Sequence, residues 1–257
     1  MKIYFFSRDI ILKVLIVAIL VTVSIVYTNF EEYEIAQVFS RDKSLPIYYV
    51  DTEEKRIAIS FDAAWGADKT DDILDILDKY DIKTTFFLVG FWVDRYPDMV
   101  KEIKKRGHEI GNHSSNHPHM TKLSKEQIVE ELKETENKIK ELTGQRTVLF
   151  RPPFGDYNDR VINACKEAGY YVIQWDVDSL DWKELGVEPV VDRVTKNVKN
   201  GSIVLFHNNA KYVAEYLPLV LEKLKAEGYE IVPISELIYK DNYYIDHTGK
   251  QIKKKVN

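Results

Sequence analysis

The chain has 257 residues, of which 45% are hydrophobic and 12% aromatic; this is ample material for a core and excludes wholesale disorder. Its single cysteine, Cys165, excludes an intramolecular disulfide framework and a multi-cysteine metal site, so any metal must be held by histidine and carboxylate. The net charge of −5 is uneven: residues 1–30 carry +2, the tail from Lys240 to Asn257 carries +3, and residues 31–239 are left with −10. That body lacks the basic footprint of a nucleic-acid binder, and no nucleic-acid partner is expected.

In chain order, the first feature is an apolar run from Ile10 to Tyr27, interrupted only by Lys13, which lies near enough to its start to snorkel. Basic residues precede the run and Glu31, Glu32 and Glu34 follow it, an asymmetry that places the N-terminus in the cytoplasm and the rest outside. No small-residue cleavage site follows, which favours a retained anchor over a removed signal peptide. The expectation is a cytoplasmic stub and membrane-spanning signal-anchor over 1–30, a linker and lead-in over 31–55, a catalytic body over 56–240 and a basic, solvated tail over 241–257.

From Ile57 onward, short β-branched or aromatic runs alternate with amphipathic stretches. Strands are predicted at 57–61, 84–89, 108–112, 147–150, 170–175, 202–206 and 229–232. Helices are predicted between them, one with Pro97 in its first turn, one opened by a Ser124/Gln127 capping box and closed at Gly144, and a short last one over 233–239. Such alternation implies a parallel sheet covered by helices, either an open doubly wound sheet or a closed barrel, with the active site at the carboxyl ends of the strands.

Polar clusters follow those strands: Asp62 in SFDAAWG, His113 and His117 in NHSSNHPHM, Arg151 in RPPFGDYN, Asp178, Asp181 and Trp182 in DVDSLDW, and His207 in LFHNNA. Parallel strands bring them to one rim. His113 and His117, four apart, suit one divalent metal, or are two surface or capping histidines; Pro118 and the flanking Ser and Asn favour a loop, and His119 is read as structural. Asp62 is either a turn aspartate or a general base on water. His207 is either a core histidine or the proton donor to a leaving group, with Asp181 as its carboxylate partner. Arg151 forms a structural salt bridge or orients Asp62, and Asp176 and Asp178 cap or pair.

In this order the clusters resemble those of the polysaccharide deacetylases of carbohydrate esterase family 4, which share the NodB homology domain; the likeness covers about residues 55–240. The resemblance implies an α/β fold, a distorted (β/α)7-type barrel of parallel strands with helices outside, here preceded by one membrane-spanning helix. It implies Asp62 as base, His113 and His117 as metal ligands, and Arg151 within the Arg-Pro-Pro motif. The Phe154 N–H is implied as oxyanion donor, Asp181 and His207 as the acid pair, and Trp182 and Leu205 as the pocket for the acetyl methyl. One departure stands out. The family's first motif has a second aspartate that completes the metal site, and this chain has Ala63 there, so zinc, cobalt or manganese would be weakly held unless Asp68, water or substrate fills the gap.

The expectation is hydrolytic N-deacetylation of a hexosamine polysaccharide, with peptidoglycan the first candidate and a chitin-like oligomer the second, by an enzyme anchored in the cell membrane and facing outward. The rival is a wall protein that binds glycan on the same fold without turnover, and a third reading is deacetylation of a small non-glycan amide. Cys165, predicted mid-helix, is read as core.

Overall fold

The computed structural model describes residues 17–24 and 44–254, and the chain divides into two units between Lys43 and Ser44. In the first unit residues 17–24 form a helix, α1, with the side chains of Val17, Ile19, Leu20, Val21 and Val23 exposed. No helix among the described residues is long and apolar enough to cross a membrane. The remainder of the candidate span over 10–27, the stub before it and the stalk up to residue 43 lie outside the described residues.

In the second unit β1 (Tyr49–Val50) leads into β2 (Arg56–Ala63), buried from its second residue onward. There follow α2 (Thr70–Lys79), β3 (Thr85–Leu88), α3 (Gly90–Arg95), α4 (Pro97–Lys105) and β4 (Glu109–Asn112). Next come α5 (Lys125–Thr143), β5 (Leu149–Phe150), α6 (Asp159–Glu167), β6 (Tyr171–Val172) and β7 (Val177–Asp178). The chain continues through α7 (Val187–Asn197), β8 (Ile203–His207), α8 (Val213–Ala226), β9 (Glu230–Ile231) and α9 (Ile234–Leu237), and ends in β10 (Tyr243–Ile245) and β11 (Lys250–Lys253). The local signals hold where they were strongest: Pro97 opens α4, and the Ser124/Gln127 capping box forms at α5, which Gly144 closes at φ 70°.

The main sheet runs β6-β5-β4-β3-β2-β8-β7, with β9 pairing the first two residues of β2. Every pairing in it is parallel. Its two edge strands are consecutive in the chain, so residues 173–176 carry the backbone from one edge to the other and the sheet curls into a half-barrel. The α/β fold of parallel strands is as expected, with the distorted barrel taking the form of this open curl; the single strand over 170–175 is corrected, since only Tyr171–Val172 pair there as β6. The start of the predicted strand satisfies β5, while β7, formed beyond it, satisfies β8. The lead-in fills the seam between them: Ile47 N–H donates to Val172 O at 2.8 Å, Gln174 N–H donates to Ile47 O at 2.7 Å, and Val50 N–H donates to Gly201 O at 2.9 Å.

Residues 243–253, expected as solvated tail, pair instead. β11 is parallel to β1 and antiparallel to β10, and Gln251 is fully buried, bonded through both ends of its amide to the Tyr239 backbone. The residues on 241–254 thus belong to the body, as do Ser44 onward in the lead-in.

Strand alternation divides the core. Ile57, Ile59, Phe61 and Ala63 of β2 join the apolar cluster under the helices, while Ala58 joins the inner cluster with Ile47, Phe87, Ile173 and Ile203. Asp62 therefore falls on the inner face, at the carboxyl end of the central strand. β2 runs two residues beyond the predicted 57–61 because β3 and β8 pair with it as far as Ala63 and Asp62 respectively.

Gly201 has φ +80°, and a Cβ built there would sit 1.8 Å from the Val50 carbonyl oxygen. Gly201→Ala is expected to destabilise the fold by about 3 kcal/mol, combining a left-handed backbone with a clash against the lead-in. The midpoint of a urea unfolding curve measures it.

Candidate active site

Asp62 and His207 are lateral partners in the β2–β8 register. Asp62 is buried; its Oδ1 accepts a 2.7 Å bond from Arg151 Nη1 and its Oδ2 lies 3.5 Å from His113 Nε2. Burial pushes the carboxyl up, but the Arg151 guanidinium, with His113 and His207, outweighs it and holds Asp62 below the usual carboxylate range.

Arg151 follows β5 on a Pro-Pro corner and is wholly buried. Its Nη2 donates to Gln174 O at 3.2 Å, and its guanidinium lies 4.2 Å from the centre of the Phe87 ring. It does not line the cleft. It stands behind Asp62 and sets that carboxylate's orientation and charge.

His113 follows β4, and His117 lies four residues on in an irregular loop at φ 55°, not on a helical turn. The two rings are 5.0 Å apart. Since a carbonyl only accepts, the 2.7 Å contact between His113 Nδ1 and Arg151 O makes Nδ1 the donor and leaves Nε2 unprotonated toward Asp62. Burial holds the His113 imidazole below its ordinary value, and burial with the neighbouring His113 lowers His117 to about 4. Both are thus neutral imidazoles near pH 7, the form that binds metal, and the carbonyl bond to His113 is the support a ligand needs.

The donor set stops there. Ala63 is fully buried in the helix-side apolar cluster, and Asp68 is not among the residues lining the cleft. Among the described residues no group of three His, Cys, Asp or Glu side chains is arranged to hold a metal ion. The residues present offer two imidazoles and do not complete the three-ligand site the resemblance implies.

On the other side of Asp62, His207 ends β8. Its Nδ1 donates to Asp181 Oδ1 at 2.7 Å, while Asp181 Oδ2 accepts the His207 backbone N–H at 2.9 Å and the Tyr216 hydroxyl at 2.7 Å. Burial disfavours the charged imidazole, but the bond to Asp181 and the charges of Asp181, Asp62 and Asp178 prevail, and His207 is raised above its ordinary value. Tyr216, from the first turn of α8, had no local signal in the sequence; it is recognisable only once α8 is packed under β8.

Asp62, His113, His117, Asp181 and His207 border one cleft of about 600 Å³, walled by Trp65, Phe154, Trp182 and Leu205 among others. Phe154 has a left-handed backbone, φ 59°, in the turn after the two prolines, and its ring stacks on His119 at 4.5 Å. His119 is exposed and lies 3.6 Å from Asp156. Asp176 accepts from Ser202 Oγ and Ile203 N–H and so ties the segment before β7 to the start of β8, whereas Asp178 accepts from Leu180 N–H in a local turn and also borders the cleft. Cys165 is buried in α6 with its thiol pushed up to about 12 by desolvation. The site thus pairs an ionised carboxylate with a protonatable imidazole across one hollow, the arrangement a hydrolytic proton relay requires.

The polysaccharide deacetylase family model matches residues 49–173. A peptidoglycan-N-acetylglucosamine deacetylase from Bacillus cereus is 41% identical over 194 residues, covering 74% of this chain and 91% of its own. The chain belongs to the polysaccharide deacetylase family. Members of this family are hydrolases acting on carbon–nitrogen bonds. A peptidoglycan-N-acetylglucosamine deacetylase from Listeria monocytogenes is 38% identical over 71% of this chain, which spans only 39% of that longer protein. Among solved structures, a family 4 pseudoenzyme from Bacillus anthracis matches with TM-score 0.72 and 36% identity over 75% of this chain and 68% of its own. A mutant of it with restored enzymatic activity matches equally, with TM-score 0.72 and 37% identity. Membership and fold therefore do not decide turnover; the residues of the site do.

A folded-state value raised above the unfolded one means that His207 contributes stability that is complete below about pH 6.5 and is lost as pH rises through the folded value. The His207 Cε1–H resonance is expected to titrate above 6.5, and Asp181→Asn to move its midpoint below that of the wild type; an NMR pH series reads both.

Proposed function

We propose that this protein hydrolyses N-acetyl groups from a hexosamine-containing polysaccharide, peptidoglycan before a chitin-like oligomer. The observation that carries the reading is the pairing at the cleft: Asp62, held ionised by Arg151, beside His207, held protonatable by Asp181. Asp62 takes a proton from water as the water oxygen attacks the acetamide carbonyl. The Phe154 N–H supports the oxyanion, an interaction of a kind typically worth about 3–4 kcal/mol. As the carbon–nitrogen bond breaks, His207 passes its proton to the departing amine, leaving acetate and a free amino sugar. Leu205 and Trp182 enclose the acetyl methyl. The family's divalent metal would find His113 and His117 but no third protein ligand, so zinc, cobalt or manganese would be held weakly, and no proton transfer described here passes through it.

The apolar run over 10–27, with basic residues before it and glutamates after it, supports an anchored protein whose body faces outward, where cell-wall glycan lies. The incomplete donor set also favours a second reading, a glycan-binding wall protein without turnover.

Acetate release from peptidoglycan and from acetylated chitooligosaccharides, with chelator and with each of the three metals, separates the two. The expected result is release that rises with added metal. Asp62→Asn is expected to lower kcat by about 10²–10⁴-fold while leaving glycan affinity nearly unchanged. Glycan binding without acetate under every condition would establish the second reading instead.

A further inference from the structure

Trp65 has no part in the proton transfers above, yet it is 60% exposed on the wall of the cleft. A side chain of this size is seldom left so open without a partner. With Phe154 and Trp182 it is one of the three most exposed aromatic side chains among the described residues, and all three border the cleft.

Its presentation is built by other residues. The next residue, Gly66, turns the chain at φ +61°, and its carbonyl accepts both Trp92 Nε1–H at 2.6 Å and Asn208 Nδ2–H at 3.0 Å. Asn208 is the residue after His207, and its own N–H donates to Asp62 O, so the loop carrying Trp65 is tied to the strands that carry the catalytic pair. The Trp65 ring packs against Phe91 with centroids 5.2 Å apart, and meets His117 at 6.0 Å. One side is backed by Phe91 while the ring borders the cleft. His117 also meets Phe154 at 4.5 Å, so Trp65, His117 and Phe154 make one continuous aromatic wall. From Trp65 the wall leads through His117 to His113 with ring centres 6.0 and then 5.0 Å apart, so Trp65 borders the cleft on the side of Asp62 where the two imidazoles lie.

We propose that Trp65 is a stacking platform for the pyranose adjacent to the one whose acetamide enters the site, and that it makes the protein prefer polymer over monosaccharide. A rigid flat ring offers broad contact to the C–H face of an uncharged sugar at little cost in side-chain entropy. The inference rests on the glycan reading above but not on turnover.

Isothermal titration of the full-length protein with N-acetylglucosamine and with triacetylchitotriose tests it. The wild type is expected to bind the trisaccharide at least about tenfold more tightly than the monosaccharide. Trp65→Ala is expected to lose that preference and Trp65→Phe to keep most of it. Trp65→Leu, which still covers Phe91 but has no flat face, should behave as the alanine variant. A wild type without preference for the trisaccharide, or a Trp65→Ala protein of unchanged melting temperature that retains it, overturns the proposal. Acetate release run in parallel keeps the two readings apart: a Trp65-dependent preference without acetate sinks the deacetylase reading alone, whereas acetate with a Trp65-independent preference sinks the platform alone.

Discussion

The buried ion pair between Arg151 and Asp62 is the interaction around which the site is arranged. Burying two charges is expensive, and their attraction offsets the cost only when geometry is good and the remaining donors find partners. Here the guanidinium meets Asp62 at 2.7 Å, the Gln174 carbonyl at 3.2 Å and the face of Phe87 at 4.2 Å, while its buried Nε has no hydrogen-bond partner among the described residues. The arginine in turn offers its own carbonyl to His113, setting that imidazole's tautomer. One residue thereby determines the charge of the carboxylate and the proton position on its neighbour. Removing the guanidinium would take from the buried Asp62 carboxylate its main counter-charge and shift it toward the neutral form.

The parallel sheet explains why these groups meet. Asp62 and His207 end adjacent strands, the Arg151 corner follows β5, and the Asp181 turn follows β7, so residues separated by more than a hundred positions share one rim. The curl of the sheet has a local cause: the backbone over 173–176 crosses between the two edges, and Ile47 from the lead-in occupies the opening it leaves. The segment before β2 is therefore part of the body that shapes the cleft.

The same alternation that points Asp62 inward places Ala63 among apolar side chains beneath the helices. On one side of Asp62 stand the two imidazoles of His113 and His117, while Asp62 and His207 themselves are held by Arg151 and by Asp181 with Tyr216. A relative of the same fold exists both as a pseudoenzyme and as a mutant with restored activity. Catalytic competence in this fold depends on a few side chains set on an unchanged scaffold.

The amino-acid order alone determined the alternation of strands and helices, the caps at Pro97, Ser124 and Gly144, and the positions of Asp62, His113, His117, Arg151, Asp181 and His207, because strand periodicity and post-strand position are local properties of a chain. Tertiary structure decided what depends on partners distant in sequence. The shortening of the predicted strand over 170–175 to β6 with β7 formed beyond it at the other edge, the pairing of β11 with β1, the hydroxyl of Tyr216 under Asp181 and the exposure of Trp65 against Phe91 all arise from contacts that form only when the sheet curls. Hydrogen-bond satisfaction and side-chain burial are properties of neighbours in space, and no window of residues along the chain contains them.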